Sequence, residues 1–555
     1  HTRYWRDWEF RRVLFRSWKE GEQWLGMSWG EYRERADAAA AGLLGLSVAA
    51  GDRVAILAEN GPGWLLADIA ILSTGAIDVP LHPALSAEQL AFQLAHCGAR
   101  GVIVGTSALA ARVAAMAGAL EDLEWIVVIE EGDSDAPVPR SALRTLSWGS
   151  LCDLGRSLGA DWRERVQERE RRLCRDDPAT ILYTSGTTGV PKGVVLTHGN
   201  LLADAEAAAR YATSSPEDLT LCWLPLCHAY ARTCDHVMAM LAGHAVAFAE
   251  SPERVMANMA EIEPTRLNAV PRFYQKLWAT LGALGPEERQ ARLRALVGPR
   301  MRELHSGGAP LPEAVAAGFR AAGIPILQGY GLTETSPVVA TSALDAHRDG
   351  TVGRPLPGIE VRIAADGEIL TRGPHVMRGY WRDDAATRAA IDPDGWLHTG
   401  DVGSIDADGF LRITDRTKDI IKTSTGRSVA PAALEALLVA DPWIEQALVC
   451  GEGRPFVATL VVPSAAALDD LASRLGCPIE VAGERIVTRA IVEAFARRVG
   501  EATRGAGPGD RIGAVALLAR PFEAARGEVT ATHKIRRRVV LERLASVVEA
   551  IYAGV

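Results

Sequence analysis

The chain has 555 residues, more than one ordinary hydrophobic core serves, so two or more domains are expected. With 48% hydrophobic and 23% charged residues, the composition is that of a globular protein and not of a disordered one. A formal net charge of -9 argues against a general nucleic-acid binder, which would carry a basic face.

The first 26 residues, from His1, lack the periodicity of the rest of the chain. They read as an unassigned leader, truncated or artefactual, and not as a signal peptide, because their aromatic and arginine residues never yield to an apolar block. From Met27 the pattern is regular. "SWGEYRERADAAAAGLLGL" predicts a helix with Ser28 as N-cap, and "DRVAILAEN" predicts a buried strand ended by Asn60-Gly61-Pro62. "GWLLADIAILSTGAIDVPL" is the richest apolar stretch, but Asp68 and Asp78 break it, so it reads as a buried helix and a strand and not as a membrane span. Helix-like and strand-like runs then alternate: "AEQLAFQLAHCGA" into "RGVIVG", then "ALAARVAAMAGAL" into "WIVVIEE". The rhythm resumes in "HAVAFAE", "RLNAVP", "MRELHSGG" and "IPILQGYG". Such alternation predicts α/β sheets with helical crossovers.

Near residue 350 the texture shifts to short strands with Asp-Gly and Pro-Gly turn signals, the mark of a small β-rich unit. "QALVCG" and "VATLVVP", with further helices, then suffice for a separate domain. The expected organisation is a large α/β domain over 27–414 carrying the β-rich unit, a hinge at 415–418, and a smaller, mobile α+β domain over 419–555. The eight cysteines are scattered. Cys222, Cys227 and Cys234 cluster with His228 and His236, but without a CxxC pair they read as small buried groups in a reduced, cytoplasmic protein and not as a metal centre.

The chemistry starts at "YTSGTTGVPKGV", where the strand-like "DPATILYTS" enters a glycine-rich turn. Glycines let successive N–H groups converge on an anion. Thr184, Ser185, Thr187 and Thr188 add hydroxyl donors, and Lys192 adds a mobile positive charge. The loop suits a polyphosphate, yet it lacks the GxxxxGK[ST] spacing of a Walker A loop, and taken alone it reads equally well as a flexible polar loop.

"YTSGTTGVPKGV" resembles the phosphate-loop motif of the adenylate-forming superfamily of acyl-CoA synthetases, luciferases and adenylation domains. Six further stretches resemble motifs of that family in the same order: "LPLCHAYART", "LHSGGAPLP", "QGYGLTETSP", "GWLHTGDVG", "DRTKDIIKTSTGRSVAP" and "EVTATHKIRR". The likeness is greatest to bacterial long-chain fatty-acid–CoA ligases. It implies that a carboxylate attacks the α-phosphorus of ATP to give acyl-AMP, which then passes its acyl group to CoA. Aligning the attacker and neutralising phosphoryl charge are the main tasks of such a site.

The same resemblance assigns roles. Glu334 with Thr184 would hold Mg²⁺, while the loop residues Ser185, Gly186, Thr187, Thr188 and Gly189, with Lys192, would grip the phosphates. Tyr330 would stack on adenine beside the backbone of Gly307, Gly308 and Ala309, and Gln328, Gly329, Gly331 and Thr333 would complete that wall. Asp401 would hold the ribose, with Ile413 and Arg416 beside it. Lys534 would reach the carboxylate and phosphates only while the small domain is closed. After rotation about the Asp415–Lys418 connector, Gly426 would line the pantetheine channel. His228 and Tyr230 would border the acyl pocket.

The chain departs from the family pattern at three places. Thr425 and Arg427 stand where glycine and lysine are common, Val529 and Ala531 replace leucine and proline near Lys534, and Ala231 precedes Arg232 where long-chain relatives often carry glutamate. Expected substrates are a medium- or long-chain fatty acid, ATP and CoA. Two other readings stay open: a ligase that loads a carrier-protein phosphopantetheine, and a nucleotide-binding sensor without catalysis. No nucleic acid is expected; a homodimer and peripheral contact with the inner face of the membrane are open options.

Overall fold

The computed structural model describes residues 14–130, 143–184, 191–282, 284–416, 420–425, 427–504, 511–523, 526–529 and 535–553. Its architecture is the expected mixed α/β one, with a large N-terminal and a smaller C-terminal domain.

Two sheets dominate the large domain. The first has eight strands, whose central run Pro178–Thr184, Ile77–Leu81, Arg53–Leu57, Ala99–Val104 is parallel. Its inner strands are buried along nearly their whole length, as expected of a parallel sheet covered by helices on both faces. The second has seven strands, including Leu219–Cys222, Arg266–Ala269, Glu303–Ser306 and Ile326–Gly331. A four-stranded antiparallel sheet from Glu360–Ile363 to Leu411–Arg416 forms the β-rich unit. In the C-terminal domain a five-stranded sheet is built on Ile444–Cys450, Val457–Pro463 and Ile512–Leu518. Apolar clusters include Phe495 and Leu438 in one case and Val540 and Leu544 in the other.

Local signals act where the sequence places them. Ser28 caps helix Trp29–Gly45 with a full capping box: Glu31 N–H donates to Ser28 Oγ at 3.2 Å, and Ser28 N–H donates to Glu31 Oε2 at 2.8 Å. The apolar stretch around Asp68 is helix Pro62–Thr74 followed by strand Ile77–Leu81. Trp64 and Leu65 of that helix are fully buried, each contributing on the order of 1.5–3 kcal/mol. Among the described residues, no helix is long and apolar enough to cross a membrane.

The leader reading is corrected from Leu14 onward. Strands Leu14–Glu20 and Gln23–Ser28 form an antiparallel hairpin. Lys19 Nζ and Trp24 Nε1 both reach the Glu261 carboxylate, at 3.0 and 2.8 Å. Trp18 and Trp24 pack on two different apolar clusters of the large domain. A hairpin held by two tryptophans and by Glu250 and Glu261, far away in sequence, leaves little periodic trace of its own.

A candidate adenylate-forming active site

The carboxyl ends of strands from both large sheets, the β-rich unit and one face of the C-terminal domain enclose a single cleft of about 2680 Å³. Ligands of open α/β sheets bind at such strand ends. The cleft is lined by Thr184, Lys192, His228, Gly307, Gly308, Ala309, Gln328, Gly329, Tyr330, Gly331, Thr333, Glu334, Asp401 and Ile413. These residues come from motifs spread along the chain from Thr184 to Ile413. Ser185, Gly186, Thr187, Thr188, Gly189, Gly426 and Lys534 lie outside the described residues, and of Arg416 only the backbone at the end of strand Leu411–Arg416 is described.

The phosphate loop springs from the antiparallel pair Pro178–Thr184 and Lys192–Thr197, whose register sets Thr184 opposite Lys192 at the loop's base. Lys192 Nζ lies 4.7 Å from the centre of the Tyr380 ring, and the Tyr380 hydroxyl donates to Glu334 Oε1 at 2.9 Å. Tyr380 thus ties the cation of the loop to the carboxylate expected at the metal. The motifs do not point to this residue; its signal was the unassigned "MRGYW", whose Gly379–Tyr380 pairs with Val195 and Val194. Glu334 and Thr184, both lining the cleft, carry the hard oxygens suited to a magnesium ion that takes most of its remaining ligands from phosphate and water. Among the described residues, no cluster of three or more histidine, cysteine or acidic side chains could hold a metal by itself.

At the nucleoside end the Tyr330 hydroxyl donates to Asp401 Oδ2 at 2.7 Å, so the residues expected at base and ribose form one unit. Asp401 stands opposite Arg416 in the pairing of Leu397–Ile405 with Leu411–Arg416, which brings the β-rich unit to the site. Two glycines are required by geometry. Gly308 has φ +81°, and a Cβ at Gly331 would sit 1.7 Å from the Pro337 carbonyl oxygen.

The third part of the cleft holds His228 and Tyr230. Tyr230 packs beside Gly307, and its hydroxyl meets Asn268 Oδ1 at 3.4 Å. Burial pushes the His228 imidazole down to about 4, the neighbouring His82 adding to the effect, so His228 is neutral near pH 7. Below them Arg232, 1% exposed, meets Asp68 at 2.6 Å and Asp78 at 3.0 Å. The two aspartates that interrupt the apolar stretch are therefore partners of the arginine in "HAYART". Burial opposes ionisation of both. At Asp68 the Arg232 and His236 charges overcome it and hold the carboxyl at about 2, whereas Asp78, repelled by Asp68, is driven well above the usual range. Arg232 thus fastens the His228 segment to the first sheet from beneath the site.

In the C-terminal domain the residue after Lys534, Ile535, lines the cleft and bridges to Val529. The basic run beyond it is partly tied down: one guanidinium nitrogen of Arg537 donates to both Glu435 carboxylate oxygens at 2.8 Å, while Arg538 pairs with Glu542 at 2.7 Å on the exposed face of the helix.

The residues that the motifs set at phosphate, metal and nucleoside thus line one α/β cleft with the C-terminal domain, the arrangement expected of an adenylate-forming enzyme. The chain belongs to the AMP-binding enzyme family: residues 8–381 match the model of that enzyme and residues 418–555 match its C-terminal domain. Among its relatives is the long-chain-fatty-acid–CoA ligase FadD15 of Mycobacterium bovis, 34% identical, covering 95% of this chain and 92% of that one. The peroxisomal long chain acyl-CoA synthetase 7 of Arabidopsis thaliana is 29% identical, over 95% and 82%. Solved structures share the fold: an anthranilate CoA ligase bound to anthranoyl-AMP has a TM-score of 0.76 at 21% identity, over 99% of this chain and 97% of that one. ATP-bound MatB from Rhodopseudomonas palustris has a TM-score of 0.73 at 23% identity, over 98% of both. Family and full-length likeness together support ATP-dependent acyl-CoA synthetase activity, as the motifs lead one to expect.

Proposed function

We propose that this enzyme activates a medium- or long-chain fatty acid as acyl-AMP, with release of pyrophosphate, and then transfers the acyl group to CoA with release of AMP. The observation that carries this reading is the convergence of Thr184, Lys192, Glu334, Tyr330, Asp401 and His228 on one cleft. Glu334 and Thr184 would hold Mg²⁺, which would supply positive charge against the phosphates. Lys192 draws the leaving pyrophosphate, the loop from Ser185 to Gly189 wraps it, and the Tyr330–Asp401 unit fixes base and ribose so that the α-phosphorus faces the carboxylate. Lys534 completes the charge in the closed state, and the 415–418 hinge then carries it away and brings Gly426 toward the thiol.

ATP–pyrophosphate exchange and AMP release, measured across fatty acids of graded length with and without CoA, test the reading. Exchange with CoA-dependent AMP release is expected. Exchange without it points to a carrier protein as acceptor, and no exchange with any carboxylate points to a sensor. In a second test, Lys534→Ala is expected to lower adenylation about 10²–10³-fold while thioester formation from supplied acyl-AMP persists. Equal loss of both steps contradicts the rotating domain.

A further inference from the structure

One corner of the cleft holds ionisable groups that nucleotide binding does not employ. His82 follows the strand Ile77–Leu81, Glu59 and Asn60 follow the strand Arg53–Leu57, and the loop after Leu219–Cys222 carries Cys227 and His228. Asn60 binds these pieces together: its Nδ2 donates to the Leu224 carbonyl at 2.7 Å, and Leu226 N–H donates to its Oδ1 at 2.9 Å. The His82 and His228 rings stand 6.2 Å apart, tilted by 41°. Ala84 N–H donates to His82 Nδ1 at 3.1 Å, so neutral His82 carries its proton on Nε2. His228 Nε2 is buried and has no hydrogen-bond partner among the described residues.

We propose that His228 accepts the proton of the CoA thiol during thioester formation and that His82 is the positioning residue that orients its ring and tunes it. This inference rests on the two-step reaction proposed above. The two half-reactions differ in what they ask of this corner. A fatty acid arrives already ionised, so its attack on ATP needs no base. A thiol must lose its proton as sulfur attacks. The S–H bond breaks and the proton passes to His228; the S–C bond forms at the acyl carbonyl, and the C–O bond to AMP breaks, its electron pair leaving on the phosphate oxygen. The protonated imidazole then releases its proton to water.

Burial keeps both imidazoles neutral near pH 7, with a lone pair available on His228. Two neighbours cannot accept a proton near pH 7: burial pushes the Cys227 thiol up to about 12 and the Tyr230 hydroxyl well above its usual value, so both stay protonated. Glu59, which burial raises, is the competing acceptor, and imidazole rescue of a His228 variant separates the two. His82 is the one charged group that acts on His228: its protonated form discourages protonation of its neighbour.

The test compares thioester formation from purified acyl-AMP and CoA with ATP–pyrophosphate exchange, in the full-length enzyme. His228→Ala is expected to slow the thioester step about 10²-fold with partial rescue by added imidazole, whereas any loss of exchange, through the acyl pocket that His228 borders, is not rescued by imidazole. His82→Gln is expected to slow the same step about tenfold and to move the acid limb of its pH profile upward, because a repelling charge next to His228 is gone. His82→Asn, whose side-chain oxygen can still accept from Ala84 N–H, is expected to behave like His82→Gln and guards against a misfolded variant. Parallel loss of both half-reactions, or an unmoved pH limb without imidazole rescue, overturns the inference. Failure of the unaltered enzyme to make acyl-CoA from acyl-AMP overturns both the inference and the reaction it rests on.

Discussion

The two ends of the cleft are built on opposite principles. Where the motifs place the nucleotide, tyrosine hydroxyls orient the acidic side chains: Tyr380 donates to Glu334 and Tyr330 donates to Asp401. A tyrosine hydroxyl orients a carboxylate without cancelling its charge, so the carboxylates stay effective toward a cation or ribose. Beneath the His228 end, by contrast, the Arg232 guanidinium is set against the Asp68 carboxylate out of water, and beside them lies the Asp78 carboxyl, which burial and Asp68 drive well above the usual range. One end holds charge ready for a ligand; the other uses charge to fix the floor on which His228 stands.

Arg232→Leu tests the second half of that contrast most severely. Removing one partner of a buried pair leaves the Asp68 carboxylate uncompensated, so a loss of about 3–5 kcal/mol in urea unfolding is expected. A loss under about 1 kcal/mol would mean that the aspartates take up protons at little cost and that the floor is not held by charge. The triple change of Arg232, Asp68 and Asp78 to apolar residues of similar volume is expected to recover most of the stability, because apolar replacement of a whole buried ionic group is often neutral.

Glu334→Gln tests the first half. It keeps shape and loses charge, so exchange activity is expected to fall about 10²–10³-fold with little change in unfolding free energy. Tyr380→Phe removes only the orienting hydroxyl and is expected to cost about 0.5–1.5 kcal/mol in transition-state binding, or roughly two- to tenfold in kcat/KM for ATP. Comparable stability losses in both variants would show that the nucleotide end, too, is a structural ion cluster.

The contrast also explains what could be read from the sequence. The residues expected at the nucleotide fall in short contiguous runs, so "YTSGTTGVPKG", "YGLTETS" and "HTGD" carry recognisable patterns. Helix and strand alternation likewise gave the α/β class and the positions of most inner strands. Asp68, Asp78 and Arg232 acquire meaning only through pairing across 164 residues between Asp68 and Arg232. Sequence alone showed two acids interrupting an apolar run and an arginine beside an unusual Ala231. Tyr380 and the hairpin from Leu14 to Ser28 escaped for the same reason, since a two-residue strand and a pair of tryptophans leave no period to detect.

The contact between the domains sets the lower end of the scale. Arg272, in the helix Pro271–Ala279 at the cleft, meets Glu445 of the C-terminal domain at 3.2 Å, with side chains 37% and 43% exposed. An exposed pair of this kind contributes about 0.2–1 kcal/mol and is weakened by salt. Arg272→Ala is therefore expected to change kcat less than about fivefold, with the difference shrinking at high ionic strength. The direction of the change is the informative part. If the pair favours the arrangement in which acyl-AMP forms, its loss slows exchange and leaves thioester formation from supplied acyl-AMP unaffected. If it favours the rotated one, the thioester step slows instead. A large, salt-independent effect on both would mean that the contact supports the walls of the cleft, and the division between a ligand-ready end and a charge-fixed floor would then have to extend across the domain boundary.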